Sequence, residues 1–230
     1  MYYKFIGLFI VFLLFVSATR YDNHEAKIFY YGKNSVTISG IGKVPDSIWN
    51  DTNIIELHFN QCYFDIIPND INKLKKLRVL DIRDCRLLSS FSGVDSLTQL
   101  EYLSLNLTGF DEIPSCLFDL VSLEVLDVSK TKIHSISNRI SRLKKLEVLR
   151  INNNKIDSLP ESIGSLKSLE VLWAGNTQIE YIPESMFDLP NIKTIWFDWR
   201  IIKDSEECKS RFKKINAEVR FIPERNPRIR

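Results

Sequence analysis

Four residues of this 230-residue chain that suit molecular recognition recur at intervals of 23: Asp127, Arg150, Trp173 and Trp196. A carboxylate, a guanidinium and two large rigid rings are the side chains that dominate binding hot spots. Rings gain much contact area at little entropic loss, and arginine adds directional hydrogen bonds. The residue types that do covalent or metal chemistry are arranged less suggestively. His24, His58 and His134 have no second ligand nearby at metal-binding spacing. Neither a Gly-rich phosphate loop nor a GxSxG elbow occurs. Asp81 and Asp127 lie two 23-residue intervals apart. If each interval is one strand, they stand roughly 10 Å from one another, wide for either glycosidase geometry. These absences predict no enzyme, no cofactor and no metal site, and they leave surface recognition as the function.

The interval itself dictates the elements. Residues 54–191 divide into six units of 23 without insertion or deletion. Counting from Ile54, position 1 reads Ile54, Leu77, Leu100, Leu123, Leu146 and Leu169. Position 4 is leucine in every unit (Leu57, Leu80, Leu103, Leu126, Leu149, Leu172), and so is position 21, from Leu74 to Leu189. Positions 4 and 6 alternate, as in Leu149 and Ile151, which predicts a short strand with one buried face. Position 9 holds Cys62, Cys85, Thr108, Thr131, Asn154 and Thr177, small polar groups able to satisfy backbone left unpaired where the chain bends. Pro68, Pro114, Pro160 and Pro183 at position 15 stop any strand, and apolar residues at 18 and 21 are spaced for one helical or 3₁₀ turn. One such unit cannot bury its apolar edge alone, so neighbours must stack, and stability is a sum over adjacent interfaces.

Strand positions 3, 5 and 7 then face outward together. Position 5 reads Ser35, His58, Asp81, Ser104, Asp127, Arg150, Trp173 and Trp196, on a sheet about 34 Å long for eight strands. Beside it stand Tyr102 and the valines 79, 125, 148 and 171 at position 3, with Asn152 and Asp198 at position 7. The candidate partner-binding set is Tyr102, Asp127, Arg150, Asn152, Trp173, Trp196 and Asp198. A C-terminal segment folded over Trp196 and Trp199 is the competing reading, and Trp173 lies one layer further in.

The ends need caps. Residues 31–53 read as a degraded unit with Ile41, Val44, Pro45 and Ile48 in register, preceded by a β-prone segment at 27–31. Ile192, Ile195 and Phe197 begin a seventh strand that does not complete its repeat. Asp204 and Glu207 resemble a capping box ahead of a helix whose one face carries Cys208, Phe212 and Ile215, with Val219 and Phe221 behind it. Cys62 and Cys85 share a ladder position in adjacent units. Parallel side chains approach poorly for a disulfide dihedral near 90°, so buried free thiols are expected there, while Cys116 and Cys208 stay unassigned.

Each unit resembles the leucine-rich-repeat pattern LxxLxLxxNxLxxLPxxIxxLxx, as in LEVLRINNNKIDSLPESIGSLKS from Leu146. The resemblance implies an α/β solenoid: a right-handed curved coil with a parallel β-sheet on its concave face, short helical or 3₁₀ turns on its convex face, and a cap at each end. The sequence departs from the pattern at position 9, where one asparagine survives. The LPxxI type with an export signal looks most like leucine-rich-repeat proteins secreted by pathogenic spirochaetes and related bacteria, which implies adhesion or host interaction. Plant and vertebrate secreted members usually carry cysteine-clustered caps, absent around these repeats.

Export is read from residues 1–18. Lys4 supplies a positive start, residues 5–16 are apolar apart from Gly7, and Val16, Ser17 and Ala18 suit signal peptidase, placing cleavage before Thr19. A run of twelve residues falls short of the roughly 20 needed to span a bilayer. The expected organisation is a signal peptide at 1–18, an N-terminal cap at 19–53, six repeats at 54–191, and a partial repeat with cap at 192–230. A formal net charge of +2, falling to +1 without Lys4, gives no electrostatic reason for a nucleic-acid or acidic-membrane partner. The expected partner is a protein, such as a host cell-surface or matrix protein, met by a secreted or surface-bound chain. A glycan or small ligand on the tryptophans, or a purely structural envelope role, stays open at this point, as does the oligomeric state.

Overall fold

The structure, a computed structural model, describes residues 20–21, 24–25, 27–198, 202–203, 205–215 and 218–221. The expected signal segment and cleavage point, Trp199, Asp204 and residues 222–230 lie outside the described residues. Ten strands form one sheet in chain order: β1 (Lys27–Tyr31), β2 (Ser35–Ser39), β3 (Glu56–Asn60), β4 (Val79–Arg83), β5 (Tyr102–Ser104), β6 (Val125–Asp127), β7 (Val148–Arg150), β8 (Val171–Ala174), β9 (Thr194–Phe197) and β10 (Glu218–Phe221). Every neighbouring pair is parallel except β1 and β2, a hairpin that closes the N-terminal end. From β3 to β9 the register is that of the repeat, with Leu57, Leu80, Leu103, Leu126, Leu149, Leu172 and Ile195 side by side. The six leucines and Ile195 have 0% exposure and form the spine of the core.

The convex side consists of 3₁₀ turns at Asn69–Lys73, Val94–Ser96, Ser115–Asp119, Asn138–Arg142, Glu161–Ser165 and Glu184–Asp188. Four begin directly after the position-15 proline, whose fixed φ and missing N–H suit the entry to a turn. Of the two turns without that proline, one starts after Ser137, whose side chain accepts a hydrogen bond from the Arg139 N–H at 3.2 Å, and the other after Gly93. Each turn closes on the position-21 leucine; the Leu74 N–H, for example, donates to the Ile71 carbonyl at 3.0 Å.

Leaving the strand requires a left-handed residue at position 8. Gln61, Asp84, Leu107, Lys130, Asn153 and Asn176 all have φ between 52° and 59°, a region that residues other than glycine enter rarely. The fold compensates with hydrogen bonds across repeats: the N–H groups of Gln61, Asp84, Leu107, Lys130 and Asn153 donate to the position-7 carbonyl of the next unit, at 2.9–3.3 Å. Position 9 then seals the bend. Asn154 donates to the Val128 and Ile151 carbonyls (2.8 and 3.0 Å) and accepts from the Thr131 hydroxyl and the Ile133 N–H (2.6 and 3.2 Å). Cys62 and Cys85 occupy the same ladder as buried free thiols, and the Cys62 N–H donates to the Cys85 sulfur at 3.3 Å. The neighbouring Cys62 thiol, and then burial, push the Cys85 thiol up, so it stays protonated and behaves as a weak donor to the Arg83 carbonyl.

The ends differ from expectation in three ways. Thr37, not Ser35, lies beside His58, because β2 pairs with β3 two residues out of the 23-residue register. Ile41, Val44 and Ile48 are nonetheless buried in phase with the repeats, so the bend after β2 is two residues shorter than its counterparts. Second, the chain beyond β9 makes a complete turn: the expected helix, α2 (Ser205–Lys214; α1 is the short helix Asp46–Asn50), stands where the repeats have a 3₁₀ turn and leads into β10, where Trp196 pairs with Arg220. Third, Phe212 of α2 is fully buried against Phe187, ring centroids 4.6 Å apart, but Ile215 lies past the helix and is exposed.

Candidate functional site

The alternation of a strand sends positions 3, 5 and 7 to the concave face, and parallel in-register pairing lines each position up across repeats. Asp127, Arg150, Trp173 and Trp196 therefore stand on four consecutive strands, β6 to β9. The strand spacing of about 4.8 Å is close to the thickness of a stacked ring pair. The indoles of Trp173 and Trp196 stack with centroids 5.2 Å apart and planes inclined by 15°. On the opposite side of Trp173, the Arg150 guanidinium carbon lies 4.9 Å from the ring centroid, a cation–π contact. Both faces of Trp173 are thus occupied.

Asp127 holds the other end of this stack. One of its carboxylate oxygens lies 3.6 Å from Arg150 Nη1. The other accepts from the backbone N–H and the hydroxyl of Ser129, which in turn accepts from the Asn106 amide at 2.6 Å. Asp127 and Ser129 are buried, whereas Arg150, Trp173 and Trp196 are half-buried and present part of their surface to the groove. Arg150 Nε, Asn152 Oδ1 and Trp196 Nε1 are shielded from solvent and have no hydrogen-bond partner among the described residues. Asn152 and Asp198 flank the stack at position 7, with Gly175 between them on the intervening unit.

Tyr102 stands apart from that group. Its hydroxyl accepts from Arg83 Nη2 at 3.4 Å, and Arg83 Nε donates to Asp81 at 2.8 Å. His58 Nδ1 approaches the same carboxylate at 3.5 Å. Burial pushes the Asp81 carboxyl up, but hydrogen bonds from His58 and Arg83 outweigh it and leave the group below its ordinary value. Burial, with Asp81 nearby, pushes the Tyr102 phenol up. The concave face thus holds two clusters, a charged one on β3 to β5 and an aromatic one on β6 to β9. Sequence reasoning missed Asp81, Arg83, Asn106 and Ser129 as members. The available signal was their place at positions 5 and 7 of adjoining units. Val171, expected on the open face, is buried at 4% exposure, as is Thr194 beside it at 9%.

Among the described residues no group of three or more His, Cys, Asp or Glu side chains is placed to hold a metal ion, and no helix is long and apolar enough to cross a membrane.

A family model described as leucine-rich repeat region matches residues 53–215. A solved Leptospira interrogans leucine-rich repeat protein superposes with a TM-score of 0.63 at 23% identity, over 77% of this chain and 44% of that one. The plant peptide hormone receptor RGFR1, solved in complex with RGF2, superposes with a TM-score of 0.56 at 23% identity, over 74% of this chain and 28% of the receptor. The Arabidopsis thaliana protein suppressor of npr1-1, constitutive 1 is 31% identical over 82 residues, 35% of this chain and 6% of that protein. The chain spans less than half the length of each.

Proposed function

The chain belongs to the leucine-rich repeat family, a scaffold for protein–protein interaction, and from that premise we propose that it is an exported module that binds a protein partner through its concave face. The observation that carries this reading is the ordered run Asp127–Arg150–Trp173–Trp196, in which Arg150 and the two tryptophans form a half-exposed aromatic and cationic ridge on the concave sheet. Such a ridge concentrates contact area in side chains that have little freedom left to lose on binding. That the receptor RGFR1 is solved in complex with RGF2 supports a protein or peptide ligand for this fold. The signal-peptide pattern of residues 1–18 supports export, and likeness to a Leptospira protein supports a bacterial surface setting with a host cell-surface or matrix protein as partner. A sugar stacked on Trp173 is disfavoured because Arg150 and Trp196 already cover its two faces.

The test is saturable binding of the chain from Thr19 onward to a panel of host cell-surface and matrix proteins, measured by interferometry. For a partner so found, Trp173→Ala is expected to weaken binding by about 2 kcal/mol, roughly 30-fold. Lys145→Ala on the exposed convex flank leaves binding unchanged. Full affinity in Trp173→Ala overturns the concave site, and failure of every panel member to saturate overturns the interaction reading.

A further inference from the structure

The aromatic ridge is the end of a longer chain of contacts. Starting just past β5, the Asn106 amide donates to the Ser129 hydroxyl at 2.6 Å. Ser129 donates twice to one Asp127 oxygen, from its N–H at 2.9 Å and from its hydroxyl. That leaves the second Asp127 oxygen turned toward Arg150 Nη1, 3.6 Å away. Arg150 lies over Trp173, and Trp173 stacks on Trp196. Five consecutive repeats each contribute one member or more.

The order of burial along this chain is informative. Ser129 and Asp127 are 3% and 8% exposed, so a partner has little access to them. Arg150 keeps 29% of its side chain exposed, and both tryptophans are half-buried. Left to itself, an arginine on a strand samples many rotamers, and an indole next to a free neighbour does the same. Here a fixed carboxylate limits the guanidinium to one side of Trp173, and the guanidinium limits Trp173 to one orientation against Trp196. We infer that Asp127, set in place by Ser129 and Asn106, is a positioning residue that assembles the Arg150–Trp173–Trp196 stack in the free protein, so that the recognition ridge exists before any partner arrives. This concerns the site proposed above but does not depend on what binds there.

Two indoles stacked this closely couple their electronic transitions, giving an exciton couplet in the circular dichroism of the free chain. Trp173→Phe, which removes one partner of the stack, defines the signal without it. Asp127→Asn keeps an oxygen to accept from Ser129 and removes the charge facing Arg150. Arg150→Gln removes the guanidinium at a partly exposed position where folding has little at stake. Both are expected to lose most of the couplet and to make the tryptophan emission more accessible to acrylamide, while a cooperative thermal transition is retained. Asp119→Asn, at a convex ion pair with Arg142, is expected to leave the couplet intact. A couplet of full amplitude in both Asp127→Asn and Arg150→Gln overturns the inference. Loss of the couplet with no change in partner affinity leaves preassembly standing and overturns the concave face as the binding site.

Discussion

Asn154 ties three stretches of chain together with four hydrogen bonds, reaching Val128, Ile151, Thr131 and Ile133. Thr108 and Thr177 fill the same ladder position with one bond each, to the carbonyls of Leu105 and Ala174. Removing Asn154 strands the Ile151 carbonyl and the Ile133 N–H in a site that is 7% exposed, while the Val128 carbonyl keeps the Thr131 hydroxyl. Asn154→Ala is therefore expected to destabilise by about 3 kcal/mol and Thr108→Ala by about 1 kcal/mol, both read from urea unfolding. Equal losses would mean that the ladder position, not the bonds its side chain makes, sets stability there. The asparagine was legible as a ladder residue from its column alone. Leu107 was not legible as a left-handed residue: its side chain has none of the local hydrogen-bonding capacity that marks Asn153 or Asp84 for that conformation, and the cross-repeat bond that holds it appears only once the units are stacked.

Between elements, the last two 3₁₀ turns meet at close quarters. A Cβ added to Gly164 would fall 2.4 Å from Ser185 Cβ and 2.6 Å from the Ser185 carbonyl oxygen. The same hydroxymethyl donates back to the Glu161 carbonyl, so it cannot swing aside freely. Gly164→Ala is expected to lower stability by about 2 kcal/mol in chemical denaturation. Gly42→Ala, where an added Cβ meets nothing within 4 Å, serves as the neutral comparison. An unaffected Gly164→Ala would show that the turns slide apart at little loss. Strands and 3₁₀ turns from 54 to 191 were readable because three leucine columns repeat without a gap. The ends were readable only in part: at the first unit the bend shortened by two residues while Ile41, Val44 and Ile48 kept the beat, and beyond β9 the helix was legible but the pairing of β10 onto the sheet, which completes the turn, was not. A cap answers to one neighbour instead of two, so its sequence is less constrained.

Taken whole, the molecule carries little long-range charge. Its formal net charge is +2, and the concave charges are matched locally, Asp81 with Arg83 and Asp127 with Arg150. Association with a protein partner is then expected to change less than about threefold in rate between roughly 50 and 500 mM NaCl, as measured by stopped flow. A steep fall with salt would show that a charged surface elsewhere steers the encounter. The column that holds Arg150, Trp173 and Trp196 could be read from the sequence because it follows the period. The support beneath it was harder to read, since it runs down position 7 from Asn106 to Ser129 and then crosses to Asp127 at position 5 of the same unit, a step that no single column displays.

The uninterrupted register also bears on how such a chain changes over generations. If residues 123–145 were lost as one block, Leu146 would follow directly where Leu123 had stood, and the Glu147 N–H, which now donates to the Glu124 carbonyl, would meet that of Glu101 instead. The core would close over the seam, but Arg150 would find Ser104 beside it in place of Asp127. Gain or loss of 69 coding bases is thus a step by which this architecture keeps its shape while the face it shows to others is redrawn.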